Sequence, residues 1–351
     1  MKKTLIYGYF TKNYGDDLLI YSYIKNFSKS DNIYTLYNVL PQFKSEIFRE
    51  LNVEVYEKTT MKRILNKFDP YKIYVESKLA NEFDELVIIG GSMFIEERED
   101  LHLYRMMSKF VELGKEVKVL GANFGPVKTT DFVKKYDALF KNCTEVIFRD
   151  KKSFETFQGV NSISLGTDLA MLLDIEHNKI KSFEDIVAII PVSLKGRREL
   201  QEFDSKYKKY LDHQIEMYQS SGKTVRVFGF CAFEGDDEII TYLSSKHSGV
   251  EPILYDGDLL KFTKLLGECS VIIGSRFHAI IVGILINANV LSISYSDKNS
   301  NFLLSISSEI SNVEIRELDS TINVVPRLSN HDMDILSLYQ DVYASEKSRS
   351  N

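Results

Sequence analysis

Apolar residues along this chain fall into short unbroken runs, each followed by a polar turn and then by a stretch with helical spacing. Residues 4–9 form the first run, residues 8–17 make a turn rich in Gly, Asn and Asp, and residues 18–27 carry apolar positions at the helical period. The pattern predicts further strands at 33–37, 86–89, 117–120, 145–148 and 162–165, with helices at 44–51, 61–68, 101–113 and 130–141. Periodicity fades and charge rises over 168–185, which reads as a linker. The alternation then resumes, with strands at 186–192, 223–229, 253–255, 271–273 and 290–295 and helices at 200–220, around 239–243 and at 257–267. A terminal helix at 335–343 and a frayed end at 345–351 complete the reading. Strands alternating with helices predict parallel sheets, whose turns gather at the carboxyl ends of the strands. The expected architecture is α/β: an N-terminal domain over 1–175, a second domain over 186–325, their turns facing across a cleft, and a C-terminal helix and tail over 326–351.

Composition narrows the function classes. A chain of 351 residues with 44% hydrophobic and 27% charged residues has the make-up of a globular protein with two cores. The net charge of −6 argues against nucleic acid as a partner. The first turn is not G-x-G-x-x-G and lacks the lysine of a P-loop, so neither dinucleotide nor Walker-type nucleotide binding is supported. Cys143, Cys231 and Cys269 are odd in number and far apart, which points to buried thiols and a reducing compartment rather than disulfides or zinc. The apolar run after Lys2 and Lys3 is shorter than the ~7–15 residues of a signal sequence, and no run reaches the ~20 residues of a membrane helix. A cytoplasmic protein is expected, with peripheral work at the inner face of the membrane left open.

The richest local chemistry lies at residues 274–278, Gly-Ser-Arg-Phe-His, between an apolar strand and an apolar helix. A helix N-terminus offers unpaired backbone N–H groups and partial positive charge, so Ser275 and Arg276 there suit an anion. His278 adds a proton donor beside it. Residues two apart on a regular helix point to nearly opposite faces, so Arg276 must precede the helix if both are to meet one ligand. Each has a structural alternative: a surface ion pair for Arg276 and a hydrogen-bonded structural role for His278.

Several turns, in order, resemble those of the polysaccharide pyruvyl transferase family over most of residues 1–300. They are Gly8 followed by Asn13-Tyr14-Gly15-Asp16-Asp17, then Gly90-Gly91-Ser92-Met93-Phe94, Gly121 with Gly125-Pro126, Arg149-Asp150 with Ser153, Asp168-Leu169-Ala170, Ser275-Arg276-Phe277-His278-Ala279, and Tyr295 with Lys298. Two departures stand out: Ala122-Asn123 where the family often has Gln-Ser, and Asn287-Ala288-Asn289 where it usually has Gly-x-Pro. The first bears on acceptor contacts and the second on a helix-to-strand turn.

The resemblance implies two Rossmann-like domains of the glycosyltransferase-B type. It implies transfer of pyruvate from phosphoenolpyruvate to a sugar as a cyclic ketal, with phosphate released and no metal or other cofactor required. On that reading Arg276 clamps the donor's phosphate or carboxylate and His278 is the general acid. Asp16 orients or deprotonates an acceptor hydroxyl, or else caps its helix. Asn13 and Gly15 form the acceptor-side turn, with Gly90 and Gly91 at a second turn. Arg197, beside Lys195 and Arg198, and Lys298 are further anion ligands, or else solvated surface cations. Arg149 and Asp150 suit a structural pair or helix cap. The expected partners are phosphoenolpyruvate and a sugar or lipid-linked oligosaccharide. The alternative on the same fold is a glycosyltransferase using a nucleotide sugar, and a third reading is a catalytically inactive binding subunit.

Overall fold

The protein is described from a computed structural model covering residues 1–39, 42, 45–57, 69–96, 101–173, 183–306, 309–318, 326–327 and 341–343. Its contacts divide the chain into two compact units. The first holds the described residues of Met1–Thr11, Asp16–Leu172 and Leu338–Asn351, and the second those of Lys12–Gly15 and Leu173–Ser337. Lys12–Gly15 therefore packs with the second unit, although the strands on either side of it in sequence build the first.

The first unit is a seven-stranded sheet of β1 (Lys3–Tyr7), β2 (Ile33–Val39), β3 (Glu54–Glu57), β4 (Glu85–Ile89), β5 (Glu116–Ala122), β6 (Glu145–Phe148) and β7 (Ile163–Leu165). The order is β3-β2-β1-β4-β5-β6-β7 and every pairing is parallel. The second unit is a six-stranded parallel sheet of β8 (Phe183–Ile190), β9 (Thr224–Gly229), β10 (Glu251–Leu254), β11 (Cys269–Gly274), β12 (Asn289–Ser294) and β13 (Ser311–Glu314). Its order is β10-β9-β8-β11-β12-β13. Both sheets start at a central strand, run outward to one edge, and then return to the other side of that strand. The return lies between β1 and β4 in one sheet and between β8 and β11 in the other, which is where open parallel sheets bind ligands.

Parallel strands covered on both faces need apolar residues at successive positions, and these strands have them. Leu86–Ile89 of β4 and Val187–Ile190 of β8 are buried, and β8 pairs with β11 through Ala188↔Ile272 and Ile189↔Ile273. The helix Tyr14–Phe27 begins four residues before the predicted 18, because Asn13 Oδ1 accepts from Gly15 N at 3.0 Å and Asp16 and Asp17 lie in the positive first turn. The cap is thus Asn13, not Asp16. Leu169–Leu172 forms a buried 3-10 turn whose Ala170 N–H is held by Asp168, so the chain from 168 to 172 is core rather than linker.

The helices Asp69–Glu82 and Asp297–Ser305 and the strands β3 and β13 are additions to the predicted elements. The predicted helix at 61–68 and the end at 345–351 lie outside the described residues; within 335–343 only Asp341–Tyr343 is described, as a 3-10 turn. Among the described residues no helix is long and apolar enough to cross a membrane. Cys143, Cys231 and Cys269 are buried thiols rather than disulfides, and burial pushes each thiol up to about 12.

Candidate functional site

In the second unit, four adjacent parallel strands, β9, β8, β11 and β12, end in turns that carry charged or polar side chains. The turn after β11 is closely packed. A Cβ at Gly274 would stand 2.6 Å from Ala279 Cβ, so a side chain there would keep the next helix off the strand end. Ser275 N–H extends the pairing by donating to Ile190 O at 2.8 Å, and its hydroxyl meets Tyr207 OH at 2.7 Å. Arg276 is extended (φ −74°, ψ 133°), and regular helix runs over Phe277–Leu285. Arg276 therefore precedes the helix, while His278 lies in its first turn.

Arg276 is 6% exposed. Its Nε donates to Asp236 Oδ2 at 3.2 Å, its Nη2 bonds Asp236 Oδ1, and its Nη1 donates to Glu234 Oε2 at 2.6 Å. Burial alone would lower the guanidinium pKa, but the charges of Asp236 and then Glu234 raise it, so Arg276 stays charged. The acidic residues of 234–238 surround the start of the helix Asp236–Lys246, whose N-cap is Gly235 and which has no side-chain cap bond. Asp236 also accepts from Phe230 N at 2.9 Å and Cys231 N at 3.0 Å.

Glu234 gathers the remaining cations. Arg197 Nη2 donates to its Oε2 at 3.2 Å, and the Arg197 guanidinium lies 4.7 Å over the Tyr295 ring. Burial pushes the Glu234 carboxyl up; Arg276 first, then Arg197 and Lys298, outweigh that and hold it below the ordinary range. The pairing is therefore complete at neutral pH and is lost as pH falls through the depressed value. Lys298, half-buried, comes from the helix Asp297–Ser305 after β12.

Residues 12–15 lie against this cluster from the other side. Tyr14 is buried among Phe230, Tyr255 and Phe262, with its hydroxyl 2.9 Å from Thr263 Oγ1 and its N–H donating to Phe230 O at 3.0 Å. Pinned in this way, Asn13 Nδ2 donates to Glu234 Oε1 at 3.2 Å. Gly15 backs directly onto His278, where a Cβ would fall 2.0 Å from Nδ1. The Gly15→Ala variant is expected to fold, because alanine suits a helix, and to displace the imidazole. A fall in turnover of roughly tenfold or more, in protein that circular dichroism shows to be folded, is the expected result, with an overpacking cost to stability of about 1–3 kcal/mol.

Asn13, Gly15, Arg197, Ser275, Arg276, His278 and Lys298 thus belong to one cluster. Asp16, Gly90 and Gly91 belong to the first unit. Asp16 is half-buried in the first turn of its helix. Gly90 and Gly91 adopt φ of +50° and +67°, and a Cβ on Gly90 would stand 2.3 Å from Leu19 Cδ1, so Gly90 lets the end of β4 pack against the helix Tyr14–Phe27. Arg149 pairs with Asp168 at 2.7 Å and Asp150 caps the helix Lys151–Thr156, both structural roles.

The residues that sequence reasoning passed over are Glu234, Asp236, Tyr14 and Tyr207. One signal was available. A buried arginine requires carboxylate partners, and the acidic turn after the strand at 223–229 ends at the same sheet edge as Arg276.

The family model described as Polysaccharide pyruvyl transferase matches residues 13–297, which take in every member of this cluster except Lys298. The amylovoran biosynthesis protein AmsJ of Erwinia amylovora is 20% identical over 243 residues, covering 62% of this chain. The matched region spans 58% of that relative's length. The fold resembles UDP-GlcNAc 2-epimerase from Neisseria meningitidis bound to UDP-GlcNAc (TM-score 0.62, 10% identity, covering 98% of this chain and 99% of that one). It also resembles the UDP-GlcNAc 2-epimerase of Methanocaldococcus jannaschii (TM-score 0.60, 11% identity, covering 98% and 100%). At that identity the likeness bears on fold alone, and it agrees with two parallel-sheet α/β domains of the glycosyltransferase-B-like class. With the match covering well over half of the sequence, the chain belongs to the polysaccharide pyruvyl transferase family.

Proposed function

We propose that this protein transfers pyruvate from phosphoenolpyruvate to two hydroxyls of a sugar in a cell-surface polysaccharide or its precursor, forming a cyclic ketal and releasing phosphate. The observation that carries this reading is the convergence of Arg276, Arg197 and Lys298 on one carboxylate beside His278. Phosphoenolpyruvate carries a phosphate and a carboxylate, and planar guanidinium forks suit both.

In the proposed reaction His278 gives a proton to C3 of the enol, and positive character develops at C2. The first sugar hydroxyl attacks C2 and loses its proton to a base, for which Asp16 is the candidate. The C2–O bond to phosphate then breaks, and phosphate leaves with that electron pair. The second hydroxyl closes the ring at C2 and gives up its proton. The cations stabilise the departing phosphate, and these steps call for no metal or redox cofactor. Asn13 and Asp16 serve the acceptor, Gly90 and Gly91 shape the neighbouring turn, and the work takes place in the cytoplasm on a free or lipid-linked saccharide.

The test is phosphate release from phosphoenolpyruvate with a panel of glycans, alongside binding of UDP-sugars. Acceptor-dependent release, with a pyruvyl ketal detected by mass spectrometry, is the expected result. Binding of a UDP-sugar without binding of phosphoenolpyruvate would replace this reading with a nucleotide-sugar glycosyltransferase.

A further inference from the structure

We propose that Glu234 is an internal stand-in for the donor: its carboxylate occupies the position between Arg276 and Arg197 that an anionic group of the substrate takes, and it leaves that position when the substrate binds. The inference rests on the reading above that an anionic donor binds at the Arg276 turn. It assigns a specificity role to a residue that an acidic helix-start pattern would otherwise hide.

The two carboxylates on Arg276 are held in different ways. Asp236 is fully buried and tied to the backbone N–H groups of Phe230 and Cys231 as well as to Nε and Nη2 of Arg276. It cannot leave without abandoning buried donors, so it orients the guanidinium permanently. The Glu234 side chain is 35% exposed and stands on the short 3-10 turn Ala232–Glu234. Its hydrogen bonds run to the side chains of Arg276, Arg197 and Asn13. One oxygen accepts from both arginines and the other from an amide, which is the set of donors that a substrate carboxylate or phosphate would seek. Rotation of the side chain toward water exposes those donors without disturbing Asp236.

Charge points the same way. With Glu234 in place, Arg276, Arg197 and Lys298 face two carboxylates, Glu234 and Asp236. A donor bearing a phosphate and a carboxylate would meet strong repulsion from Glu234 at hydrogen-bond range. With Glu234 withdrawn, the three cations face only Asp236 and the donor. In the empty protein Glu234 keeps Arg197 and Arg276 together, so the arginines are pre-positioned at some cost in affinity.

The experiment compares wild type, Glu234→Gln and Glu234→Asp by calorimetric titration with inorganic phosphate, phosphoenolpyruvate and UDP at fixed pH and ionic strength. Glu234→Gln keeps the shape and a carbonyl acceptor but removes the competing charge. It is expected to bind phosphate and phosphoenolpyruvate about tenfold more tightly, and to lower the KM for phosphoenolpyruvate more than it changes kcat. Glu234→Asp, which keeps the charge, is expected to show no such tightening. Thermal melts establish that each variant is folded, and Glu234→Ala replaces Glu234→Gln if the latter is not. Unchanged or weaker phosphate binding in the neutral variant makes Glu234 a buttress for Arg276 and overturns the proposal, as does a failure of every form to bind phosphate. Tighter phosphate binding together with a preference for UDP over phosphoenolpyruvate would sink the donor reading while the stand-in role survives.

Discussion

Replacing Arg276 with alanine is expected to destabilise the second unit by about 3–5 kcal/mol, the range for removing one partner of a buried ion pair. Most of that loss should come from Asp236, which is 0% exposed and would be left without its guanidinium partner. Glu234 should contribute less, because its half-open side chain can turn to water. Urea unfolding of Arg276→Ala and of Arg276→Ala with Asp236→Asn separates the two: the second change should return part of the loss, since it removes the stranded charge. The acid limb of the stability curve should change as well. In wild type the depressed Glu234 carboxyl adds stability above its unfolded pKa and loses it as pH falls through its folded one. Without Arg276, the largest influence that depresses it, that acid-side loss should shrink. Donor affinity should fall in parallel, and Arg276→Lys should restore charge without the fork geometry. An unchanged unfolding midpoint in Arg276→Ala would show that the Asp236 and Glu234 pairing carries no net stability.

Much of the fold is legible in the sequence for one reason: strands buried on both faces read as unbroken apolar runs. Residues 86–89, 117–120, 145–148 and 271–273 all belong to such strands. β3 and β13 were missed because they are edge strands with only one or two apolar residues each and so show no apolar run. Their sequences, Glu-Val-Tyr-Glu and Ser-Asn-Val-Glu, carry the charges that edge strands need against further pairing. The helix Asp69–Glu82 was missed because apolar residues sit on both of its sides: Val75 and Leu79 are buried while Ile73 and Tyr74 are exposed, which blurs the period.

The candidate site divides in the same manner. Arg276 and His278 are neighbours in sequence and read together as a local turn. Glu234 and Asp236 are some forty residues away and read as a helix start. Only the strand order, with β9 and β11 on either side of β8, brings them to the guanidinium. Likewise, the sequence of 12–15 holds no sign that it packs with the second unit, since that depends on the pocket of Phe230, Tyr255 and Phe262 around Tyr14.

The largest effect on turnover is expected at His278. His278→Ala should lower kcat by about 10²–10⁴-fold, the usual contribution of a general acid, with a much smaller change in donor affinity because Arg276 and Arg197 remain. His278→Gln, which can hydrogen-bond but cannot deliver a proton at a useful rate, should be similarly slow. Phosphate release at saturating phosphoenolpyruvate measures this directly, and full activity in either variant would remove His278 from the chemistry. A double substitution then tests whether position or protonation is at stake. Gly15 abuts the imidazole so closely that a Cβ there must move it. If Gly15→Ala acts by displacing His278, adding it to His278→Ala should cost little more, because the ring it would push aside is gone. Two residues that act through one group are non-additive in this way. Full additivity would instead mean that Gly15 serves the site independently, through the position of Asn13 and its hold on Glu234.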